Sequence, residues 1–295
     1  MATIKVTQEM FSKLKYINTK GLKEGLYEFP DFLIIGPQRT GTTWLHRNLL
    51  LHSDIFLPHT KELYFFNYLE KSGGKYYTSD RLEWYSSQFS LDISKYFQKN
   101  LMLLKTYKSI KYLDYNIMRF FSPMVKGEAT ASYAALKEDL INEIFILNPS
   151  IKAIMIIRNP IERAWSHAKL AFPNSFHMTS GSINDQKLED FFTSDYTKRC
   201  GNYTMIIENW KRYTRPGNFF VGFFDDISKN PESLLTSILE FLGLPSGINS
   251  LQHSVLNKKI NQSTAQKIPE RQRIFLQKLF QEEIQKLNRK FNRIG

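Results

Sequence analysis

Residues Asp31 to Trp44, reading DFLIIGPQRTGTTW, bring together groups suited to gripping an anion. Phe32 to Ile35 is a short apolar run of the kind that forms a buried parallel strand. Gly36-Pro37-Gln38-Arg39-Thr40-Gly41-Thr42-Thr43 follows, and Trp44, Leu45, Leu49 and Leu50 then recur at helical spacing. A strand, a Gly-bounded loop and a helix direct backbone N–H groups and the positive end of a helix dipole at one phosphate. The Gly-x4-Gly spacing is that of a P-loop. The lysine that would serve the β- and γ-phosphates of a nucleoside triphosphate is replaced by Thr42. A different phosphorylated ligand is therefore expected, held by Gln38, Arg39, Thr40, Gly41, Thr42, Thr43 and Trp44. The competing reading is an ordinary strand-to-helix turn with two glycines.

A second strand, Ile151 to Ile157, ends in Arg158-Asn159-Pro160, and a helix starts at about Ile161 with proline in its first turn. Ser166 lies eight residues beyond Arg158. Two helical turns span about seven residues, so Ser166 and the helix start share roughly one face. Arginine offers a bidentate fork to a phosphate dianion. Taken alone, these are an Arg at a strand end and a Ser inside a helix. The strand lacks the terminal Asp of a Walker B segment, which counts against a magnesium-dependent NTPase. Lys61-Glu62 runs directly into Leu63-Tyr64-Phe65-Phe66. A carboxylate beside apolar rings can have a raised pKa, which suits a general base; the alternative is a solvated ion pair flanking core aromatics. Glu128, in KGEATASY, is either a second site carboxylate or the end of a strand.

The elements that must position these groups fit one α/β architecture. The chain has 295 residues, of which 42% are hydrophobic, enough to support a full core. Net charge is +12, which points to an anionic ligand or acceptor, and no nucleic-acid-binding motif accompanies it. Cys200 is the single cysteine, so no intrachain disulfide can form. No secretory signal, membrane-length apolar run, internal repeat or metal-ligand cluster is visible, and the six His are scattered. A cytoplasmic protein is expected, with no signal of an oligomeric state.

In chain order, residues 1–30 read as a polar, basic lead-in that packs on the surface or is partly disordered, and 31–295 as the functional domain. Residues 71–122 read as an insertion or lid beside the site, with Asp80 capping a short helix. A helix is predicted over about 134–147, a mobile polar loop over about 173–187, and an amphipathic helix opening at Arg199-Cys200-Gly201. Phe219 to Phe223 reads as a buried strand, Asn230 to Gly243 as a capped helix, and 269–295 as a basic C-terminal helix. The predicted fold is α/β, with a P-loop-like central parallel sheet flanked by helices and ligand at the carboxyl ends of the strands.

GPQRTGTTWL resembles the 5′-phosphosulfate loop of sulfotransferases that use 3′-phosphoadenosine 5′-phosphosulfate (PAPS). The likeness is to the group that includes heparan sulfate N- and O-sulfotransferases and their bacterial relatives, and it extends over roughly Asp31 to Leu244. It implies PAPS as sulfuryl donor and Arg39 as the cation on the leaving phosphosulfate. Many of the glycan enzymes have Lys there; Arg keeps the charge but not the proton-donating ability. The KE-x-x-FF likeness implies Glu62 as the base that deprotonates the acceptor. The strand–Arg–Pro–helix likeness implies that Arg158 and Ser166 bind the 3′-phosphate. Lys258 and Lys259 sit where relatives place a basic cofactor-covering loop, or are a solvated charge run. Ala129 replaces a Lys of the heparan sulfate enzymes, so their acceptor contacts do not carry over. Lys105-Thr106-Tyr107 is similar to a Lys-Thr-His of small-molecule sulfotransferases, but Tyr107 replaces the His and the likeness is taken as chance.

The implied reaction is metal-free, in-line sulfuryl transfer to a hydroxyl or amine of a small-molecule or glycan acceptor, a carbohydrate being preferred. A kinase-like P-loop phosphotransferase would need Lys at position 42 and a Walker B Asp. A non-catalytic polyanion-binding protein would account for the charge, but not for two phosphate motifs in fixed order.

Overall fold

The computed structural model describes residues 3–70, 81–109, 123–173, 185–248, 250–257 and 267–292. Its centre is a five-stranded parallel sheet in the order β4-β5-β3-β6-β7. The strands are β3 (Phe32–Gly36), β4 (Ile55–Phe56), β5 (Val125–Ala129), β6 (Lys152–Ile157) and β7 (Phe219–Phe223). Both faces are covered, which is why β3 and β6 read as unbroken apolar runs rather than alternating ones. Leu33, Ile35, Ala153, Met155 and Ile157 point into one core. Phe32, Ile34, Ile154 and Ile156 point into the other. The side-chain period of two sorts consecutive residues to opposite faces.

After β3 the chain builds one side of the sheet, and after β5 it crosses to the other. The order thus reverses between the neighbours β3 and β6, the crevice where open α/β sheets bind ligands. Helix α2 (Thr42–Leu50) follows β3, and α7 (Pro160–Ala171) follows β6. Pro160 fills the first position of α7, and Asn159 caps it by accepting the N–H groups of Ile161 (2.9 Å) and Glu162 (3.3 Å).

The lead-in is ordered against the sheet domain from Thr3 onward. β1 (Thr3–Val6) and β2 (Gly25–Glu28) pair antiparallel, α1 (Gln8–Lys13) lies between them, and Val6, Phe11, Ile17 and Phe29 are buried. The anchor is Glu143 of α6 (Glu138–Leu147), whose carboxylate accepts backbone N–H groups from Lys15, Tyr16 and Ile17. The Ile17 N–H, buried with its residue, would otherwise lack a partner. The helix predicted over 134–147 begins later, because a 3-10 turn at Ala131–Ala135 and an extended Leu136 intervene. The amphipathic helix expected from Arg199 is split: α9 (Asp195–Gly201) ends before α10 (Tyr203–Tyr213), which Asn202 caps.

Within 71–122 the described part forms α4 (Leu82–Ser87) and α5 (Ile93–Tyr107), and α4 packs into the core through Leu82 and Tyr85. Arg81 occupies the cap position of α4; Asp80 lies outside the described residues, as does most of the predicted loop after Pro173. Between α3 (Phe65–Glu70) and the C terminus, the remaining helices are α8 (Asp185–Thr193), α11 (Asp226–Lys229), α12 (Pro231–Leu242), α13 (Ser250–Leu256) and α14 (Glu270–Phe291). No described helix is long and apolar enough to cross a membrane.

Gly36 closes β3 with φ 100°, and a Cβ there would lie 1.9 Å from the backbone oxygen of Ala131. Gly36→Ala therefore combines left-handed strain with a collision against main chain that cannot rotate away. A loss on the order of 3 kcal/mol is expected, read as a lower urea midpoint with an unchanged m-value.

Candidate functional site

The loop after β3 makes its turn through two left-handed residues, Arg39 (φ 70°) and Gly41 (φ 96°). Gly41 suits its positive φ, and a Cβ there would collide only with the terminal Ile227 Cδ1, at 2.2 Å. Thr40 is fully buried and braces the loop by donating to the Pro37 carbonyl at 2.7 Å. The Leu45 N–H makes the first helical bond, to the Gly41 carbonyl. The N–H groups of Thr42, Thr43 and Trp44 thus lack intrahelical partners at the positive end of α2.

Trp44 sits where the loop enters α2. Its indole is buried and donates to the Leu256 carbonyl at 2.9 Å, so the ring serves the core and only its main chain remains for a ligand. Gln38 and Thr43 are partly exposed beside the loop.

The two phosphate motifs meet. Arg39 Nε donates to Ser166 Oγ at 2.9 Å, and Arg158 Nη1 donates to the Arg39 carbonyl at 3.2 Å. The Arg158 guanidinium lies over the Phe224 ring, 4.3 Å from its centroid. Phe224 follows β7 directly and was missed; an aromatic at a strand end facing the ligand crevice is the signal that marks it. Burial holds both guanidiniums below their ordinary range, and their mutual repulsion adds to this at Arg158, while Glu162 and Asp225 oppose it. Arginine stays protonated nonetheless, so two half-buried cations face one crevice at the end of a dipole.

On the other side of β3, the Glu62 side chain is 13% exposed. One carboxylate oxygen lies 3.4 Å from Lys61 Nζ, and the other is buried without a hydrogen-bond partner. The solvated ion pair weighed from sequence is thus half-buried instead. Glu128 of β5 is 2% exposed and accepts hydrogen bonds from Tyr85 and Thr130. Burial pushes its carboxyl up to about 7, against the pull of its Tyr133, Tyr85 and Thr130 hydrogen bonds, and the negative charge of Glu62 pushes it further in the same direction. His46 and His167 are pushed down to about 3, by burial first and then by neighbouring cations, and are neutral. Tyr107 donates to the Arg47 carbonyl at 2.7 Å, a structural role. Lys258 and Lys259 lie outside the described residues. Among the described residues, no group of three or more His, Cys, Asp or Glu is placed to hold a metal ion.

A Gly-bounded loop after the central strand, with a second arginine at the end of the neighbouring strand, fits an α/β protein of the P-loop-like class. The chain belongs to the sulfotransferase family: the family model described as "Sulfotransferase domain" matches residues 29–294. The bifunctional heparan sulfate N-deacetylase/N-sulfotransferase 1 of Caenorhabditis briggsae is 26% identical over 233 residues, covering 73% of this chain but 23% of that protein. The chain therefore spans less than a quarter of the length of this curated relative. A sulfotransferase from Alicyclobacillus acidocaldarius superposes with a TM-score of 0.59 at 18% identity, covering 90% of this chain and 97% of that one. Mouse sulfotransferase SULT7A1, solved in complex with PAP, superposes with a TM-score of 0.50 at 15% identity, covering 91% of each chain. The structural likenesses bear on the fold, which is the α/β fold expected from sequence.

Proposed function

We propose that this protein transfers the sulfuryl group of PAPS to a hydroxyl or amine of an acceptor, a carbohydrate being preferred. The observation that carries the reading is the Arg158–Arg39–Ser166 chain of hydrogen bonds, which joins two anion sites across adjacent strand ends. A nucleotide bearing a 5′-phosphosulfate and a 3′-phosphate uses both sites, whereas ATP leaves the second without a ligand. The helix-terminal N–H groups, the two guanidiniums and Ser166 form a donor set suited to such an anion. Family membership, the N-sulfotransferase relatives and the PAP-bound neighbour support the same donor. The preference for a carbohydrate rests on those relatives. A reducing, cytoplasmic setting belongs to the proposal and accords with the buried free thiol of Cys200.

In the reaction, Glu62 takes the proton of the attacking hydroxyl or amine. The new bond to sulfur forms as the bond from sulfur to the phosphate oxygen breaks. Arg39 and the loop N–H groups stabilise the charge growing on that oxygen. Every group in this scheme belongs to the protein, and no metal is required.

Isothermal titration with PAP, ADP and ATP tests the reading: PAP is expected to bind far more tightly than either, and equal affinity for the three overturns it. Arg158→Ala removes a charge-assisted contact of about 1.5–3 kcal/mol, so PAP affinity is expected to fall about tenfold or more. Binding of the 3′-dephosphorylated analogue changes little; an equal loss for both ligands makes Arg158 a structural residue.

A further inference from the structure

A base at Glu62 does not by itself account for a second carboxylate buried beside it. Glu128 Oε2 accepts the Tyr85 hydroxyl of α4 at 2.5 Å, Oε1 accepts Thr130 Oγ1 at 2.9 Å, and Tyr133 donates as well. Thr130 Oγ1 in turn accepts the N–H of Tyr64, and the Tyr133 hydroxyl accepts the N–H of Phe66, each at 3.5 Å. A hydroxyl has one hydrogen to give. Once that hydrogen points at Glu128, the oxygen's lone pairs are left for the N–H groups. The bonds therefore run in one direction, from the main chain just after Glu62, through two hydroxyls, into Glu128. Tyr64 is held at φ 57°, a left-handed conformation that a tyrosine adopts only where its surroundings enforce it.

We infer that Glu128 is a positioning residue for Glu62, fixing through Thr130 and Tyr133 the main chain that presents the Glu62 carboxylate to the acceptor. The inference rests on the proposed role of Glu62. The groups facing Glu128 are Tyr85 from α4, Thr130 and Tyr133 from the turn after β5, and Glu62 from the loop before α3. With its carboxyl at about 7, Glu128 is ionised above neutral pH, and all three hydroxyls donate to it. Below neutral pH Glu128 carries a proton that needs its own acceptor. One hydroxyl must then stop donating to Glu128 and accept that proton, and where it is Thr130 or Tyr133 the fixed direction of its bonds to the main chain of Tyr64 or Phe66 is lost.

The test uses the full chain and needs no identified acceptor, because water accepts the sulfuryl group in the slow release of PAP from PAPS. The wild type is expected to show an inflection near pH 7 in that rate. Glu128→Gln is expected to lower the rate at pH 8 by roughly tenfold or more, with PAP affinity unchanged, and to abolish the inflection. Tyr85→Phe removes a donor to the ionised form and is expected to move the inflection to higher pH while preserving the rate above it. Carboxyl 13C NMR of glutamate-labelled protein supplies a readout independent of turnover. Glu62→Gln is expected to lower the Glu128 titration midpoint by removing the neighbouring charge.

An unmoved midpoint, or Glu128→Gln lowering thermal stability while the shape of the pH profile is kept, overturns the inference. So does a full loss of rate in Glu128→Gln beside normal turnover in Glu62→Gln, which makes Glu128 itself the base. Failure of the sulfotransferase reading is seen separately, as equal affinity for PAP and ADP.

Discussion

Glu62→Gln is expected to slow turnover by on the order of 10²–10⁴ while PAP binds as tightly as to the wild type. The substitution keeps the shape of the side chain and its contact with Lys61, but an amide cannot take up a proton at neutral pH. The geometry makes the effect specific to the chemical step. One Glu62 oxygen is engaged by Lys61 at 3.4 Å, and the other is buried with no partner. A buried acceptor without a donor is costly, and in the proposed reaction the hydroxyl or amine of the acceptor would supply the missing donor. Neither oxygen bonds to the phosphate-binding loop or to Arg158, so donor affinity has no reason to change. Single-turnover rates with saturating PAPS, paired with PAP titration, separate the two quantities. Near-native turnover in the variant places the base elsewhere, with Glu128 the next residue to test.

Arg39→Ala is expected to damage binding and rate together. The side chain leaves the loop after β3 and reaches Ser166 on α7, so its loss removes a cation from both halves of the proposed donor site. A hydrogen bond to a charged group is worth about 1.5–3 kcal/mol, which sets the loss of PAP affinity at about tenfold to a hundredfold. Removing one donor from the charge developing on the bridging oxygen lowers the rate by a further factor of about 10²–10³. Arg39→Lys restores a point charge without the planar fork and is expected to retain activity, because Lys is common at this position in the glycan enzymes that the loop resembles. Measuring kcat and the PAP dissociation constant separately decides the matter. A variant that loses affinity but keeps kcat makes Arg39 an anchor of the nucleotide alone.

What was legible in the sequence was whatever a short stretch encodes by itself. The apolar runs of β3 and β6 announce buried parallel strands because both sheet faces are covered, whereas β7, also read as buried, is the partly exposed edge strand. Gly36 and Gly41 mark a turn with left-handed residues, and Asn159-Pro160 marks a helix start, because backbone sterics and missing N–H groups act over two or three residues. The order of the two phosphate motifs followed from those local units. The direction in which each side chain points did not. Trp44 is at a loop-to-helix junction in either account, but its indole turns to a carbonyl 212 residues away. The first thirty residues look polar because their buried positions are few, and what holds them is a carboxylate on α6 that collects three of their N–H groups. Glu128 could be read as a strand end or a site carboxylate. Tyr85, 43 residues earlier in the chain, and Thr130 surround it with hydroxyls only once the sheet and α4 are assembled. Periodicity and turn chemistry specify elements because they are local. Partners across the sheet are chosen by the packing of whole elements, which no single stretch of sequence contains.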